Sequence, residues 1–146
     1  MAALNIPGIG EEAGKRYIRV LTVGVSTASP NVTATSGDNI IVNINEANVF
    51  VEGIELQIVE AFTSTAVHMI GDSVDSDGWW TDTILIPATS TAVFNAASSA
   101  MAYHNGKLYS STDTILWNQT GATAAGLAKL RITYQRGVDT DLAPNT

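Results

Sequence analysis

Apolar residues recur at every second position through much of this chain, and that spacing limits it to β-structure. Ile40, Val42 and Ile44 alternate with Asn43 and Asn45; Ile54, Leu56 and Ile58 alternate with Glu55 and Gln57. Leu130, Ile132 and Tyr134 alternate with Lys129, Arg131 and Thr133. Successive side chains on a strand point to opposite faces, so this pattern sets one face on a core and the other in water. The runs are rich in β-branched residues, which suit a pleated surface. No segment sustains a period of 3.6, the mark of an amphipathic helix.

Turn chemistry divides the runs: Ser36-Gly37-Asp38-Asn39, Asn45-Glu46-Ala47-Asn48, Asp75-Ser76-Asp77-Gly78 and Asn105-Gly106. The last predicts a type I′ hairpin, with both residues left-handed. Strands are predicted over residues 16–24, 39–45, 49–62, 66–70, 81–86, 100–104, 107–110, 114–118 and 127–135, with a bend or break at Gly53. Residues 91–100 are the ambiguous stretch, where Ala favours a short helix and Ser, Thr and Asn oppose it. Many short strands with regular turns predict an all-β fold, a single-domain antiparallel β-sandwich or jelly roll over residues 16–136. Residues 1–15, broken by Pro7, Gly8 and Gly10, read as an extended N-terminal arm with Ile6 and Ile9 as apolar anchors. Residues 137–146 read as a C-terminal tail.

Charge narrows the partners. The net charge is −7, and only 14% of residues are charged. A nucleic-acid binder needs basic groups to neutralise phosphates, and an anionic membrane surface attracts the same groups, so neither partner is expected. No run of 18 apolar residues predicts a membrane span, and the N-terminus lacks the basic-then-apolar order of a signal peptide. The bases are also unevenly placed. Six of the seven lie at Lys15, Arg16, Arg19, Lys129, Arg131 and Arg136, while residues 38–113 hold ten acids and only Lys107. Either the ends carry solvated bases, or the ends of one copy complement the acidic middle of another.

Catalytic and metal chemistry find little to work with. There is no cysteine, and His68 and His104 are isolated in sequence, so a transition-metal site would need distant carboxylates. No Gly-x-Ser-x-Gly elbow or phosphate-binding glycine motif is present. Glu52, Glu55 and Glu60 share one stretch, but Glu55 faces outward and the chain is short for a cleft. The acidic run at Asp72, Asp75 and Asp77 has the look of a calcium loop. Its first ligand would be Ser73, though, and Ile84 stands where the closing bidentate acid belongs. An Asx-rich turn, whose carboxylates cap backbone N–H groups, is the expected structure. No cofactor, metal or catalytic residue is therefore expected. Trp79 and Trp80 are adjacent, so a strand would put one in the core and one outside, as an interface anchor or a sugar-stacking platform. Trp117, in an apolar run, is expected in the core.

The run Gly71-Asp72-Ser73-Val74-Asp75-Ser76-Asp77-Gly78-Trp79 resembles a "GDSDDPDGW" segment of tailed-bacteriophage virion proteins encoded beside the major capsid protein. Ala102-Tyr103-His104-Asn105-Gly106-Lys107-Leu108-Tyr109, followed by Thr112-Asp113-Thr114-Ile115, resembles their "aYxxGKxYxxxDTI" hairpin. Residues 126–134 resemble their last strand. The resemblance covers roughly residues 66–135 and implies a capsid decoration (cement) protein. Such a protein would be a homo-oligomer, a trimer by expectation, bound to the major capsid protein on the capsid exterior of the virion. Ile6, Pro7, Ile9, Trp79 and Trp80 would then be the interface residues. A head-fibre or tail component and a carbohydrate-binding β-sandwich are the alternatives.

Overall fold

The structure is a computed structural model and describes residues 3–24, 37–62, 67–81, 101–120 and 126–137. Among the described residues, eight strands run in order: β1 (Leu4–Ile6), β2 (Arg16–Gly24), β3 (Gly37–Ile44), β4 (Val49–Glu60), β5 (Val67–Asp72), β6 (Lys107–Tyr109), β7 (Asp113–Thr120) and β8 (Leu127–Gln135). They form two four-stranded sheets, ordered β1-β3-β7-β5 and β2-β8-β4-β6. Every pairing is antiparallel except β1 with β3. The result is the all-β sandwich that the alternation predicts.

Alternation becomes layers across the second sheet. Leu21, Leu130 and Leu56 stand in register across β2, β8 and β4, and all three are buried. Val23, Ala128 and Ile58 form the next inward row, allowing for a bulge near the end of β4. Between these rows, Thr22, Lys129 and Gln57 point outward, and on the other side of the leucine row Val20, Arg131 and Glu55 do the same. Sandwich cores are built from such inward rows, with polar residues alternating outside. β4 runs on past Gly53 as one strand, and the expected break is a register shift between Val51 and Gly53. A second shift on β3, between Ile40 and Val42, changes the phase: Ile41 and Val42 are both buried and Ile40 turns out to solvent. A bulge adds one unpaired residue and so moves following side chains to the other face.

Three expectations change. Residues 101–105 form successive turns, not a strand, so the Asn105-Gly106 type I′ hairpin is absent. His104 N–H donates to Met101 O (3.3 Å) and Gly106 N–H to Tyr103 O (2.8 Å). Only Gly106 has a positive φ, +93°, while Asn105 does not. The segment is held from outside, since Tyr103 N–H donates to Gly78 O at 2.8 Å, and that tie overrides the local hairpin preference. The arm, in turn, is not free of the sandwich. Leu4–Ile6 is an edge strand whose Ile6 is fully buried, in register with Ile44. Finally, Trp79 and Trp80 are both buried, because the chain leaves β5 through a tight loop and returns with a single bridge between Ile70 and Trp80. Most of the strand predicted over 81–86, the ambiguous 91–100 stretch and the tail after Gly137 lie outside the described residues.

Candidate functional site

Asp72 closes β5, and its carboxylate is wholly buried and fully used. Oδ1 accepts the N–H groups of Val74 and Asp75, both at 3.0 Å, and the Tyr103 hydroxyl at 3.2 Å. Oδ2 accepts Lys107 Nζ at 2.6 Å and the Tyr109 hydroxyl at 2.8 Å. Trp79 Nε1–H then donates to the Tyr109 hydroxyl at 2.9 Å. The ammonium of Lys107 lies 4.5 Å from the Tyr103 ring centre and 4.9 Å from that of Tyr109. Burial alone would raise the carboxyl pKa, but the donors from Lys107, Tyr109, Asp75 and Val74 outweigh it and hold the pKa below its ordinary value. Burial would lower the Lys107 pKa, and the bonds to Asp72 and Tyr103 raise it instead. Burial pushes the Tyr109 hydroxyl up. The charged pair is thus fixed in its charged form. It joins the end of β5 in one sheet to β6 in the other.

Glycine makes this approach possible. A Cβ on Gly71 would sit 2.1 Å from Asp75 O, and one on Gly78 would sit 2.3 Å from the Tyr103 ring. Gly106, besides its positive φ, brings β6 against Phe50 and the Val51 carbonyl. Asp72, Gly78, Trp79, Tyr103, Gly106, Lys107 and Tyr109 come from the two runs that resemble phage virion segments, and in the fold they are one packed unit. The acidic loop behaves as the Asx-turn reading expects: besides Asp72, Asp75 Oδ1 accepts the Asp77 N–H at 3.4 Å. Among the described residues, no group of three metal-ligating side chains gathers.

The predicted interface residues divide into two sets. Ile6, Trp79 and Trp80 are enclosed by their own chain, with Trp80 Nε1–H bonded to Ile54 O at 2.9 Å. Neither tryptophan offers a face to a sugar, which removes the stacking platform. Pro7 and Ile9 line an open groove of about 560 Å³ between the arm and β2, with Leu4, Arg19, Val20 and Leu21. Ile9 is fully exposed, and Ile18 and Val20 on β2 are more than half exposed. Three of the six bases near the ends pair with acids of the middle within one chain. Arg16 pairs with Glu52 (2.7 Å), Arg131 grips Glu55 through two bonds (2.9 and 2.8 Å), and Arg136 grips Glu46 likewise (2.6 and 2.9 Å). The pairing of β8 with both β2 and β4 brings these ends together.

His68 has a role that its sequence neighbourhood does not signal. It is buried, accepts the Trp117 indole N–H on Nδ1 at 3.0 Å, and meets Phe62 edge-on at 4.9 Å. Desolvation lowers its pKa to about 4. Trp117 is in the core, as its run predicts. His104 Nδ1 lies 2.8 Å from Met101 O.

Two solved structures share this fold over most of their length. One is a chain of the cyanophage Pam1 capsid asymmetric unit, with a TM-score of 0.58 and 14% identity, covering 88% of this chain and 91% of that one. The other is a chain of the acidic stable capsid structure of Helicobacter pylori bacteriophage KHP30, with a TM-score of 0.53 and 11% identity, covering 84% and 89%. At these identities the likeness is one of fold. No family model and no curated protein matches the sequence.

Proposed function

We propose that the protein is a virion structural component that decorates and stabilises a bacteriophage capsid. It binds the outside of the major capsid protein lattice as a homotrimer and catalyses no reaction. The observation that carries this reading is the fold, which matches chains of two phage capsids across most of each chain. The side-chain chemistry agrees. The cluster around Asp72 spends its carboxylate on five internal donors, which is the arrangement of a structural bolt. A protein that binds only the assembled shell stabilises that shell by its binding free energy, repeated over many sites. A trimer suits the local threefold positions of such a lattice.

The test is co-sedimentation of the purified protein with assembled capsid shells and with unassembled major capsid protein, followed by heating of the shells. Binding to shells, with rupture moved to higher temperature, is the expected result. Absence of shell binding, or binding confined to tails or head fibres, overturns it.

A further inference from the structure

Between β1 and β2 the chain crosses from one sheet to the other, and hydrogen bonds hold the crossing more than packing does. β1 is an edge strand of three residues paired with β3. It sends Ile6 into the core, with Leu4 partly buried beside it. Its ladder ends where Asn45 N–H donates to Ile6 O at 2.7 Å. From Pro7 onward the chain stands off from β2, leaving the open groove of about 560 Å³ between them. Gly14, with a φ of +81°, turns the chain into β2, and its N–H is anchored to Arg136 O at 2.8 Å.

One side chain clamps this crossing. The carboxylate of Glu11, only 5% exposed, accepts Gly8 N–H (3.0 Å), Arg19 of β2 (2.8 Å) and the Tyr134 hydroxyl of β8 (2.5 Å). Arg136 donates to the Glu11 carbonyl while its guanidinium grips Glu46. Burial alone would raise the Glu11 pKa, but the bonds from Tyr134, Gly8 and Arg19 outweigh it and hold the pKa below its ordinary value. The clamp is therefore charged at neutral pH, and hydrogen bonds to a charged group are about twice as strong as neutral ones. The next acid along gives the contrast. Glu12 is exposed and pairs with exposed Lys15 at 2.7 Å, the kind of surface pair that contributes little.

The crossing covers an edge. Without β1, the backbone of β3 facing it would be an open strand edge, which proteins commonly blunt with a short strand or a covering loop. β1 is such a short strand, and Pro7, which has no N–H, ends its row of donors.

We propose that residues 4–12 form a latched strap over the edge of β3 that opens as a unit about Gly14, with Glu11 as its latch, while the rest of the sandwich stays folded. Opening breaks the pairing of β1 with β3, withdraws Ile6 and bares the β3 edge. It leaves β2, β8 and β4 paired. Local openings of this kind cost less than global unfolding and occur where buried apolar contacts are few.

Amide hydrogen exchange followed by NMR, across a urea series below the unfolding transition, tests it. The reporters are the amides of Asn45, Gly8 and Glu12, each bonded within the strap or across to its neighbours. They are expected to share one opening equilibrium, roughly 100-fold or more larger than that of Leu130 and Ile132 in β8, and nearly independent of urea. Glu11→Gln is expected to raise that opening by roughly 10- to 100-fold, through loss of the charged acceptor, and Glu12→Gln to leave it within about 3-fold. Should Glu11→Gln fail to fold, Arg19→Gln loosens the same clamp from the β2 side and is expected to act in the same direction. An Asn45 amide as protected as Leu130, with the same urea slope, overturns the strap, because it then opens only with the whole sandwich. Glu11→Gln and Arg19→Gln no more effective than Glu12→Gln overturn the latch.

Discussion

Lys107 Nζ lies 2.6 Å from Asp72 Oδ2 in the interior of the sandwich, although 35 residues separate them in the chain. The pair joins the two sheets at one end of the fold, and its surroundings are aromatic: Tyr103, Tyr109 and Trp79. Burying two charges carries a desolvation penalty that mutual attraction offsets only when every remaining polar atom is satisfied. Here the carboxylate has five donors.

Removing one partner should therefore cost far more than a surface ion pair would. Lys107→Met is expected to destabilise the fold by about 3 to 5 kcal/mol, because it strands a buried carboxylate. Asp72→Asn combined with Lys107→Met should recover part of that loss. Urea denaturation midpoints measure both. The pH dependence has a definite sign. The folded carboxyl pKa lies below its ordinary value, so its stabilisation is present at neutral pH and fades as the pH falls through the acid range. A Lys107→Met protein as stable as the wild type would falsify the bolt.

Gly106 and Asn105 should respond unequally to substitution. Gly106→Val meets both a φ of +93° and the Phe50 ring at 2.6 Å, and should lose well over 1 kcal/mol. Asn105→Ala should stay within about 0.5 kcal/mol, since Asn105 is exposed and not left-handed. A type I′ hairpin would make both changes costly, so thermal melts of the two variants discriminate between the turns.

His68 makes the core sensitive to mild acid. Its pKa falls from an ordinary 6.5 to about 4 on folding, so the neutral ring is the folded form. Stability is complete above pH 6.5 and declines as the pH drops toward 4, by up to about 3 kcal/mol. Protonation also turns Nδ1 into a donor and so removes the acceptor for the Trp117 indole N–H. His68→Phe should flatten the stability profile in this window. An unchanged slope between pH 6.5 and 4 in that variant would assign the acid response elsewhere.

Ile6 and Ile9, three residues apart, should behave in opposite ways. Ile6→Ala opens a cavity in the core and is expected to cost about 2 to 5 kcal/mol. Ile9→Ala should leave folding within about 0.5 kcal/mol of the wild type. Deleting residues 1–14 removes both β1 and the Glu11 clamp, so the sandwich is expected to be destabilised rather than merely trimmed. A truncated protein that melts with the full chain would return these residues to the status of a detachable arm.

The β class is legible in the order of residues alone, because a period of two is a local property that survives any choice of partner. The limits of β2 and β8 emerge at residues 16–24 and 127–135 as predicted, and Gly53 marks a register shift. Trp117 is in the core and the acidic turn caps its own backbone, both legible from short stretches. Features that depend on distant residues emerge only when the chain packs. β1 is three residues long, too short to show a period, and its place in the core comes from pairing with β3. The turns at 101–106 follow from Gly78 and Phe50, not from the Asn-Gly pair. Trp80 is buried because the loop after β5 folds back onto Ile70, which no alternation rule contains. Asp72 and His68 acquire their altered protonation from Lys107 and Tyr109 in one case and from burial beside Trp117 in the other. Desolvation and cross-sheet hydrogen bonds are set by what packs around a group, and a chain read residue by residue does not contain that.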